Sequence, residues 1–287
     1  MRKLMLFATF ASLCLAQQKK AAPKMDPPLQ IPANVEVRRD LVYTKIGARE
    51  LHLDLYLPKS GSGSFPAVVY VHGGGWSGGN KSAFSRQAAH MAAKGFVGAC
   101  VEYRLSGEAQ YPAALDDVKA AIRWMRANAA TYRVRPDRIG AAGGSAGGHL
   151  VALAGVTGKG DTAVQAVAAF NPAVDFLDFG KRAGNGQNSV SKFLGKTYTE
   201  DPKLWESASP LAQVHKNAPP FLFLHGTADP TVPYKQSTDM QAALQKLGVK
   251  AELFSAPDAV HGFFNRPPWF EPTLRRMEQF FFETLAK

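Results

Sequence analysis

The sequence has few cysteines and no long run of positive charge. Only two cysteines, Cys14 and Cys100, occur among its 287 residues. We expect Cys14 to be removed with a leader segment, which leaves one thiol in a strand-like apolar run and excludes an internal disulfide. The net charge is +11, yet Lys and Arg never occur five in a row. Because scattered charge is typical of a solvated surface, we predict no nucleic-acid partner.

An apolar run long enough to span a bilayer is also missing at the start of the chain. The run from Leu4 to Leu15 has about a dozen residues, whereas a spanning helix needs roughly 20. Arg2 and Lys3 precede this run and Ala16 follows it, which is the pattern of a signal peptide. The alternative, a membrane anchor, is disfavoured by length. We therefore predict a signal peptide over residues 1–16, no stable membrane insertion, and a secreted or periplasmic protein.

Internal repeats and long low-complexity tracts are absent. Residues 17–34 are rich in Pro, Lys and Gln, which is typical of a flexible lead. Hydrophobic residues make up 46% of the chain, enough for a sizeable core. We expect one domain over residues 35–287.

The apolar pattern predicts an α/β fold. Segments 35–44 and 51–57 alternate polar and apolar residues around Gly47, which indicates an antiparallel N-terminal hairpin. Continuous apolar runs indicate strands buried on both faces, at 67–71, 96–103, 138–142, 166–170, 221–225 and 251–255. Helical patterns fall between them, at 81–94, 112–130, 146–156, 234–247 and 270–286. The prediction is a mostly parallel sheet of about eight strands with helices on both faces.

One connection, roughly residues 171–219, is longer than usual. It mixes Gly, Asn, Ser, Asp and aromatic residues. Long insertions of this kind are often lids or substrate-binding loops, and some are only surface decoration.

The segment Gly143–Gly147 reads GGSAG and joins a predicted strand to a predicted helix. This is the G-x-S-x-G pattern of a nucleophile elbow, in which small residues permit a tight turn that exposes the serine. Gly-rich turns of this type also bind phosphate, so Ser145 needs partners before it becomes a candidate nucleophile.

A second glycine-rich loop, HGGGW, follows the strand at 67–71. Its glycines Gly73, Gly74 and Gly75 let backbone amides approach a ligand oxygen, and with the amide of Ala146 they could form an oxyanion hole. Residues 73–78 also fit the dinucleotide pattern G-x-G-x-x-G, with Glu102 after the next strand. That pattern should run directly into a helix, and here Gly78–Asn80 delay it, which disfavours nucleotide binding.

The positions of residues along the chain indicate which histidine could act as the base for Ser145 and which aspartate could act as the acid. Of the seven histidines, His261 lies in the loop between the last strand and the last helix, where serine hydrolases with the order nucleophile, acid, histidine carry their base. Asp229, four residues after His225, is the favoured acid, and Asp258 is the alternative. No two histidines have the spacing of a zinc site, so we predict no metal and no cofactor.

Together these segments resemble a known family. HGGGW, EYRL, GGSAGGHL, HGTADPTVPY and VHGFF, in this order over about residues 35–285, are similar to α/β-hydrolase esterases near hormone-sensitive lipase, a branch that includes bacterial acetyl xylan and feruloyl esterases. The resemblance implies a nucleophile, an acid and a base at Ser145, Asp229 and His261. It also implies oxyanion donors, which are the amides of Gly73, Gly74 and Ala146, with Gly75 left open.

One departure from the family pattern bears on the substrate. The lipase-like members usually have Asp before the serine, whereas this chain has Gly144, as the carbohydrate esterases do, and cap helices are not evident. This favours esters displayed on sugars. Five aromatic residues could line a sugar or aryl pocket, although aromatic residues at such positions more often serve packing: Trp76, Phe176, Trp205, Phe263 and Trp269. Of these, Trp76 and Phe263 are the candidate substrate contacts.

The resulting expectation is an exported serine carboxylesterase acting through an acyl-enzyme on carbohydrate-linked acetyl or feruloyl esters, with a decorated plant polysaccharide or oligosaccharide as substrate. The first alternative is a general short-chain or lipase-like carboxylesterase. A peptidase of the prolyl-oligopeptidase type would need a propeller for which the chain has no room, and an arylformamidase would act inside the cell. A non-enzymatic binding module predicts no reaction of Ser145 with a fluorophosphonate.

Overall fold

The computed structural model describes residues 29–184 and 186–286. The expected signal peptide, residues 1–16, and most of the expected lead lie outside this range. Within it, the helices are all too short or too polar to traverse a bilayer.

Eight strands form one sheet in the order β1-β2-β4-β3-β5-β6-β7-β8. Strand β2 runs antiparallel to β1 and β4, and every other neighbouring pair is parallel. The predicted α/β fold with a mostly parallel sheet and an antiparallel N-terminal hairpin is confirmed. The strands are β1 (Val35–Ile46), β2 (Arg49–Pro58), β3 (Phe65–Val71), β4 (Val97–Val101), β5 (Val134–Gly144), β6 (Ala166–Phe170), β7 (Phe221–Gly226) and β8 (Ala251–Ala256).

The central strands are apolar without alternation because helices cover both faces of the sheet. Every residue of β4, β6 and β7 is buried, including the thiol of Cys100. The helices are α1 (Ser85–Ala93), α2 (Ala113–Ala127), α3 (Ala129–Tyr132), α4 (Ala146–Thr157), α5 (Phe176–Ala183), α6 (Ser189–Leu194), α7 (Pro202–Ser207), α8 (Lys235–Lys246) and α9 (Phe270–Leu285).

The insertion contains three helices, α5, α6 and α7, that the sequence pattern did not predict. They have only six to eight residues each, too few turns for apolar periodicity to be visible. Each begins at a side chain that caps its first turn: Asp175, Asn188 and Asp201 accept hydrogen bonds from backbone N–H groups three residues later. The insertion therefore packs as short capped helices against the domain.

The parallel strands bring the predicted functional residues to one edge of the sheet. The glycine loop follows β3, Ser145 follows β5, the insertion follows β6, Asp229 follows β7 and His261 follows β8. All of these segments leave the carboxyl ends of parallel strands, so they emerge on the same side, where α/β proteins bind ligands.

Candidate active site

Ser145 occupies a strained turn between β5 and α4. Its φ and ψ angles are 55° and −118°, a backbone conformation that L-residues rarely adopt. A side chain at Gly147 would place its Cβ 2.1 Å from the carbonyl oxygen of Val71, so only glycine fits there. The N–H of Ser145 donates to the carbonyl of Phe170, 2.9 Å away. Neighbouring strands thus hold the turn that presents the hydroxyl.

The structure brings Ser145, His261 and Asp229 into one hydrogen-bonded chain. His261 Nε2 lies 2.9 Å from Ser145 Oγ, and His261 Nδ1 lies 2.7 Å from Asp229 Oδ2. The Asp229 side chain is fully shielded from solvent, whereas 23% of the His261 side chain is exposed. A carboxylate that accepts from Nδ1–H leaves Nε2 free to accept the serine proton. Asp258, the alternative acid, is exposed and has no such contact.

The backbone of its own loop holds the Asp229 carboxylate. Oδ1 accepts hydrogen bonds from the N–H groups of Thr231, at 2.8 Å, and Val232, at 3.0 Å. Burial by itself would raise the pKa of the Asp229 carboxyl, but hydrogen bonds and the nearby imidazoles of His225 and His261 outweigh it and hold that pKa well below its usual range. Asp229 is therefore ionised at neutral pH and can accept a hydrogen bond from His261 Nδ1–H.

His225 makes hydrogen bonds that hold the loop carrying Asp229, a role that the sequence analysis did not predict. The imidazole is fully buried, and its Nδ1 lies 2.7 Å from Ser237 Oγ. Its Nε2 lies 3.0 Å from the carbonyl oxygen of Val232, its main acceptor, and 3.4 Å from Asp229 Oδ2. His225 thus joins the end of β7 to the start of α8 across the acid loop. The sequence signal for this role is a histidine near the end of an otherwise apolar strand, four residues before the acid.

The glycine loop after β3 faces Ser145 with free amide groups. Within the described chain, the amides of Gly73–Gly75 donate to no protein acceptor, and Ala146 begins α4, where the first N–H groups lack intrahelical partners. His72 holds the loop: its Nδ1 donates to the Gly73 carbonyl at 2.8 Å. Gly73–Gly75 and Ser145 line the same cavity, and the oxyanion hole expected from the sequence stays a prediction.

A buried histidine links this loop to the nucleophile helix and the insertion. His149, in the first turn of α4, accepts from Trp76 Nε1 at 3.1 Å and lies 2.8 Å from the carbonyl oxygen of Ala208 through Nε2. Its ring stacks on Phe176 at 4.4 Å. Both ring nitrogens are used, and burial lowers the pKa of His149 to about 4. The neutral imidazole therefore ties three segments of the site together.

The buried, neutral imidazole of His149 predicts that the stability of the folded protein depends on pH. The unfolded chain takes up a proton at His149 below pH about 6.5, while the folded protein resists it down to about pH 4. Stability contributed by the neutral imidazole is complete above pH 6.5 and is lost as pH falls towards 4. We expect the free energy of unfolding to drop by about 3 kcal/mol over this range through His149 alone.

Chemical denaturation at pH 7 and pH 4 measures this effect, with His149→Gln as the comparison. The glutamine retains a donor and an acceptor but does not titrate, so its loss of stability between the two pH values should be about 3 kcal/mol smaller. Equal losses in the two proteins would contradict the assignment.

A cavity of about 480 Å³ opens beside Ser145. Gly73, Gly74, Gly75 and Trp76 form one wall, and His261 lies at another. The insertion contributes a third wall through Phe179, Ser189 and Val190. Insertion residues thus line the cavity, as expected of a substrate-binding loop.

Of the predicted aromatic contacts, Trp76 lines the cavity but Phe263 does not. Phe263 is 5% exposed, packs edge-on against Phe264 and Trp269, and is not among the residues that line the cavity, so its role as a substrate contact stays a prediction. Its neighbour Phe264 lines the cavity instead. Phe263 and Phe264 lie in one 3₁₀ turn, Phe263–Asn265, where three residues per turn direct successive side chains to different sides, and the sequence alone does not reveal this. Phe176 and Trp205 are fully buried and serve packing.

Gly144, next to Ser145, is required by aromatic packing. A Cβ at this position would lie 2.6 Å from Cζ of Phe264 and 3.4 Å from Cζ of Phe84. These two rings stack with their centroids 5.7 Å apart, and both line the cavity. The aromatic pair therefore takes the space that an aspartate side chain would need, and the cavity has an aromatic floor.

The strand order and the placement of Ser145, Asp229 and His261 after β5, β7 and β8 define an α/β-hydrolase fold. The BD-FAE family profile matches residues 53–244. The chain belongs to the BD-FAE family.

Similar proteins are named esterases. Esterase LipQ of Mycobacterium tuberculosis is 35% identical over 236 residues, which cover 76% of this chain and 55% of LipQ. The chain spans about half the length of the curated relatives it matches.

Solved structures cover nearly the whole domain. A truncated carbohydrate esterase from gut microbiota matches with a TM-score of 0.77 and 30% identity, over 88% of this chain and 97% of that one. An esterase of Thermogutta terrifontis matches with a TM-score of 0.74 and 29% identity, over 88% of this chain and 92% of that one. The latter has also been solved with propionate and with butyrate bound.

Proposed function

We propose that this protein is a serine carboxylesterase that works through an acyl-enzyme. The observation that carries the proposal is the hydrogen-bonded chain from Asp229 through His261 to Ser145, which ends at a cavity beside unpaired backbone amides. A base with a fixed tautomer, a hydroxyl on a strained turn and a set of preorganised donors are the parts that acyl transfer needs.

In the proposed reaction, Ser145 Oγ attacks the ester carbonyl carbon while its proton moves to His261 Nε2. The carbonyl oxygen becomes an oxyanion facing amides of the Gly73–Gly75 loop and of Ala146, and each such donor contributes about 3 kcal/mol in comparable sites. The C–O bond then breaks, and the leaving alcohol takes the proton from Nε2. Water repeats the sequence on the acyl-serine and releases the acid.

For the substrate, we propose a short acyl group, acetyl above all, carried on a carbohydrate. The cavity is small and has an aromatic floor of Phe84 and Phe264, a surface against which the C–H face of a sugar ring or a hydroxycinnamoyl ring can pack. Gly144 permits this floor. The carbohydrate esterase among the structural relatives and the short acids bound to the Thermogutta enzyme support the same choice. With the leader pattern of residues 1–16, we place the enzyme outside the cytoplasm.

A panel of esters tests this function. We expect turnover of acetylated xylan and of p-nitrophenyl acetate, with p-nitrophenyl esters falling beyond butyrate, in line with the propionate and butyrate bound to the similar Thermogutta esterase. A feruloyl ester shows whether the aromatic floor accepts an aryl acid. Turnover of p-nitrophenyl acetate with none of acetylated xylan would instead indicate a general short-chain carboxylesterase. A protein that neither hydrolyses an ester nor reacts with a fluorophosphonate at Ser145 would contradict the proposal.

A further inference from the structure

Asn171 lies next to the proposed nucleophile, at the first position after β6. The residue before it, Phe170, accepts the N–H of Ser145, and the N–H of Asn171 itself donates to the carbonyl of Leu224 at 2.7 Å. Its place at the carboxyl end of a central strand is therefore set by the sheet. Its side chain lines the cavity that contains Ser145.

Asn171 has two energetically unfavourable features, a strained backbone and an unpaired side-chain oxygen, that the packing of the fold does not explain. Its φ angle is 36°, in the left-handed region, although it is not a glycine. The residue is fully buried, and its side-chain oxygen Oδ1 finds no hydrogen-bond partner in the described part of the chain. A buried acceptor without a partner costs about 1–3 kcal/mol. Strained and unpaired groups of this kind concentrate at functional sites.

The carboxamide faces the nitrogen that would move the proton. Asn171 Nδ2 lies 3.4 Å from His261 Nε2, the atom that is also 2.9 Å from Ser145 Oγ. When His261 carries the proton, the oxygen that receives it must lie within hydrogen-bond distance of Nε2. An oxygen on the Asn171 side of Nε2, inside the cavity that both residues line, also lies within reach of the Nδ2–H donor.

We propose that Asn171 is a further catalytic residue, whose Nδ2–H donates a hydrogen bond to the oxygen that leaves as the alcohol and enters as water. The inference rests on the proposed esterase function. In acylation the bond between the acyl carbon and the alcohol oxygen breaks, and its electron pair stays on that oxygen, which takes the proton from His261 Nε2. Asn171 transfers no proton; its donor stabilises the negative charge before the proton arrives. Deacylation runs through the same contact in reverse.

This role predicts a dependence on the leaving group. p-Nitrophenolate is a weak base and departs without a proton or a strong donor, so acylation by p-nitrophenyl acetate should not need Asn171. An alkoxide is strongly basic, so acylation by ethyl acetate should need it. Deacylation by water should need it for both esters, because the entering oxygen is the same.

Two substitutions separate the side chain from the backbone. Asn171→Gly keeps the positive φ and removes the carboxamide, whereas Asn171→Asp keeps the size and also tolerates positive φ but offers acceptors only. For Asn171→Gly we expect kcat/KM for p-nitrophenyl acetate within about threefold of the wild type and kcat/KM for ethyl acetate lower by about 10–100-fold, the range of one charge-assisted hydrogen bond. Asn171→Asp places a buried carboxylate beside His261 Nε2, so it should slow both esters and lower kcat/KM for ethyl acetate at least as much as the glycine variant does. A burst of p-nitrophenol matching the fluorophosphonate-titrated sites should precede a slower steady state.

The outcomes distinguish this inference from the function on which it rests. Equal losses of Asn171→Gly on the two esters, or an aspartate variant as active on ethyl acetate as the wild type, overturn the role of Asn171 as a donor while the esterase assignment stands. A wild-type protein that hydrolyses neither ester and is not labelled at Ser145 overturns both.

Discussion

Replacement of Ser145 by alanine should abolish ester hydrolysis while leaving the fold intact. The hydroxyl is the atom that forms the acyl bond in the proposed reaction, so its removal should lower kcat by about six orders of magnitude. The remaining rate should still exceed that in water, because the cavity, the amides of the Gly73–Gly75 loop and the amide of Ala146 remain. The substitution removes one hydrogen bond, to His261 Nε2, and adds no bulk to the turn. We therefore expect the thermal unfolding midpoint to change by a few degrees at most.

Steady-state hydrolysis of p-nitrophenyl acetate measures this loss, and mass spectrometry of the fluorophosphonate adduct identifies the modified residue. Ser62→Ala, in the exposed loop between β2 and β3, is the matched control and should retain full turnover and labelling. A Ser145→Ala protein that keeps substantial turnover, or an adduct on another serine, would exclude Ser145 as the nucleophile.

The sheet was predictable from sequence because its strands are buried on both faces. Residues 166–170 form a strand with the predicted bounds, since AVAAF has no polar residue that could face water. The sequence predicts one helix at 112–130, but the structure has two, α2 and α3, which separate at Asn128. The amphipathic pattern of the sequence continues across this separation and so does not reveal it. Boundaries of this kind depend on tertiary contacts that periodicity does not contain.

The relation of Ser145, Asp229 and His261 was predictable because chemistry and chain order constrain it. Each follows a different parallel strand, and parallel strands deliver their following loops to one edge. The hydrogen bonds at 2.7 and 2.9 Å show that the three side chains do meet.

The supporting residues could not be predicted because their partners are distant in sequence. Asn171 contacts a histidine 90 positions away, and His149 contacts a carbonyl 59 positions away. Neither contact follows from local periodicity or from a motif. Gly144 is a second example of a contact that the sequence does not reveal. The glycine itself is visible in the sequence, but the Phe264 ring that occupies the space beside it is 120 residues further along the chain, between β8 and α9.

Replacement of Asp229 by asparagine should have the second largest effect. The asparagine can keep its oxygen at the position of Oδ1, where the N–H groups of Thr231 and Val232 donate. Its NH₂ group then takes the place of Oδ2 and points at His261 Nδ1, which must become the acceptor. The ring proton moves to Nε2, and the imidazole can no longer accept a proton from Ser145. We expect kcat to fall by about 10⁴-fold at neutral pH, with little change in KM.

Asp258→Asn is the matched control for this prediction, because Asp258 is the other carboxylate near His261 in sequence. It is exposed, and its φ of 56° suits asparagine as well as aspartate, so the substitution should preserve both fold and turnover. Parallel kcat measurements and thermal unfolding of the two variants therefore isolate the acid. If Asp258→Asn lost activity while Asp229→Asn retained it, Asp258 would be the acid, and the contact between Asp229 and His261 would be structural. The buried position of Asp229, its two backbone donors and its 2.7 Å hydrogen bond to the imidazole all favour the opposite result.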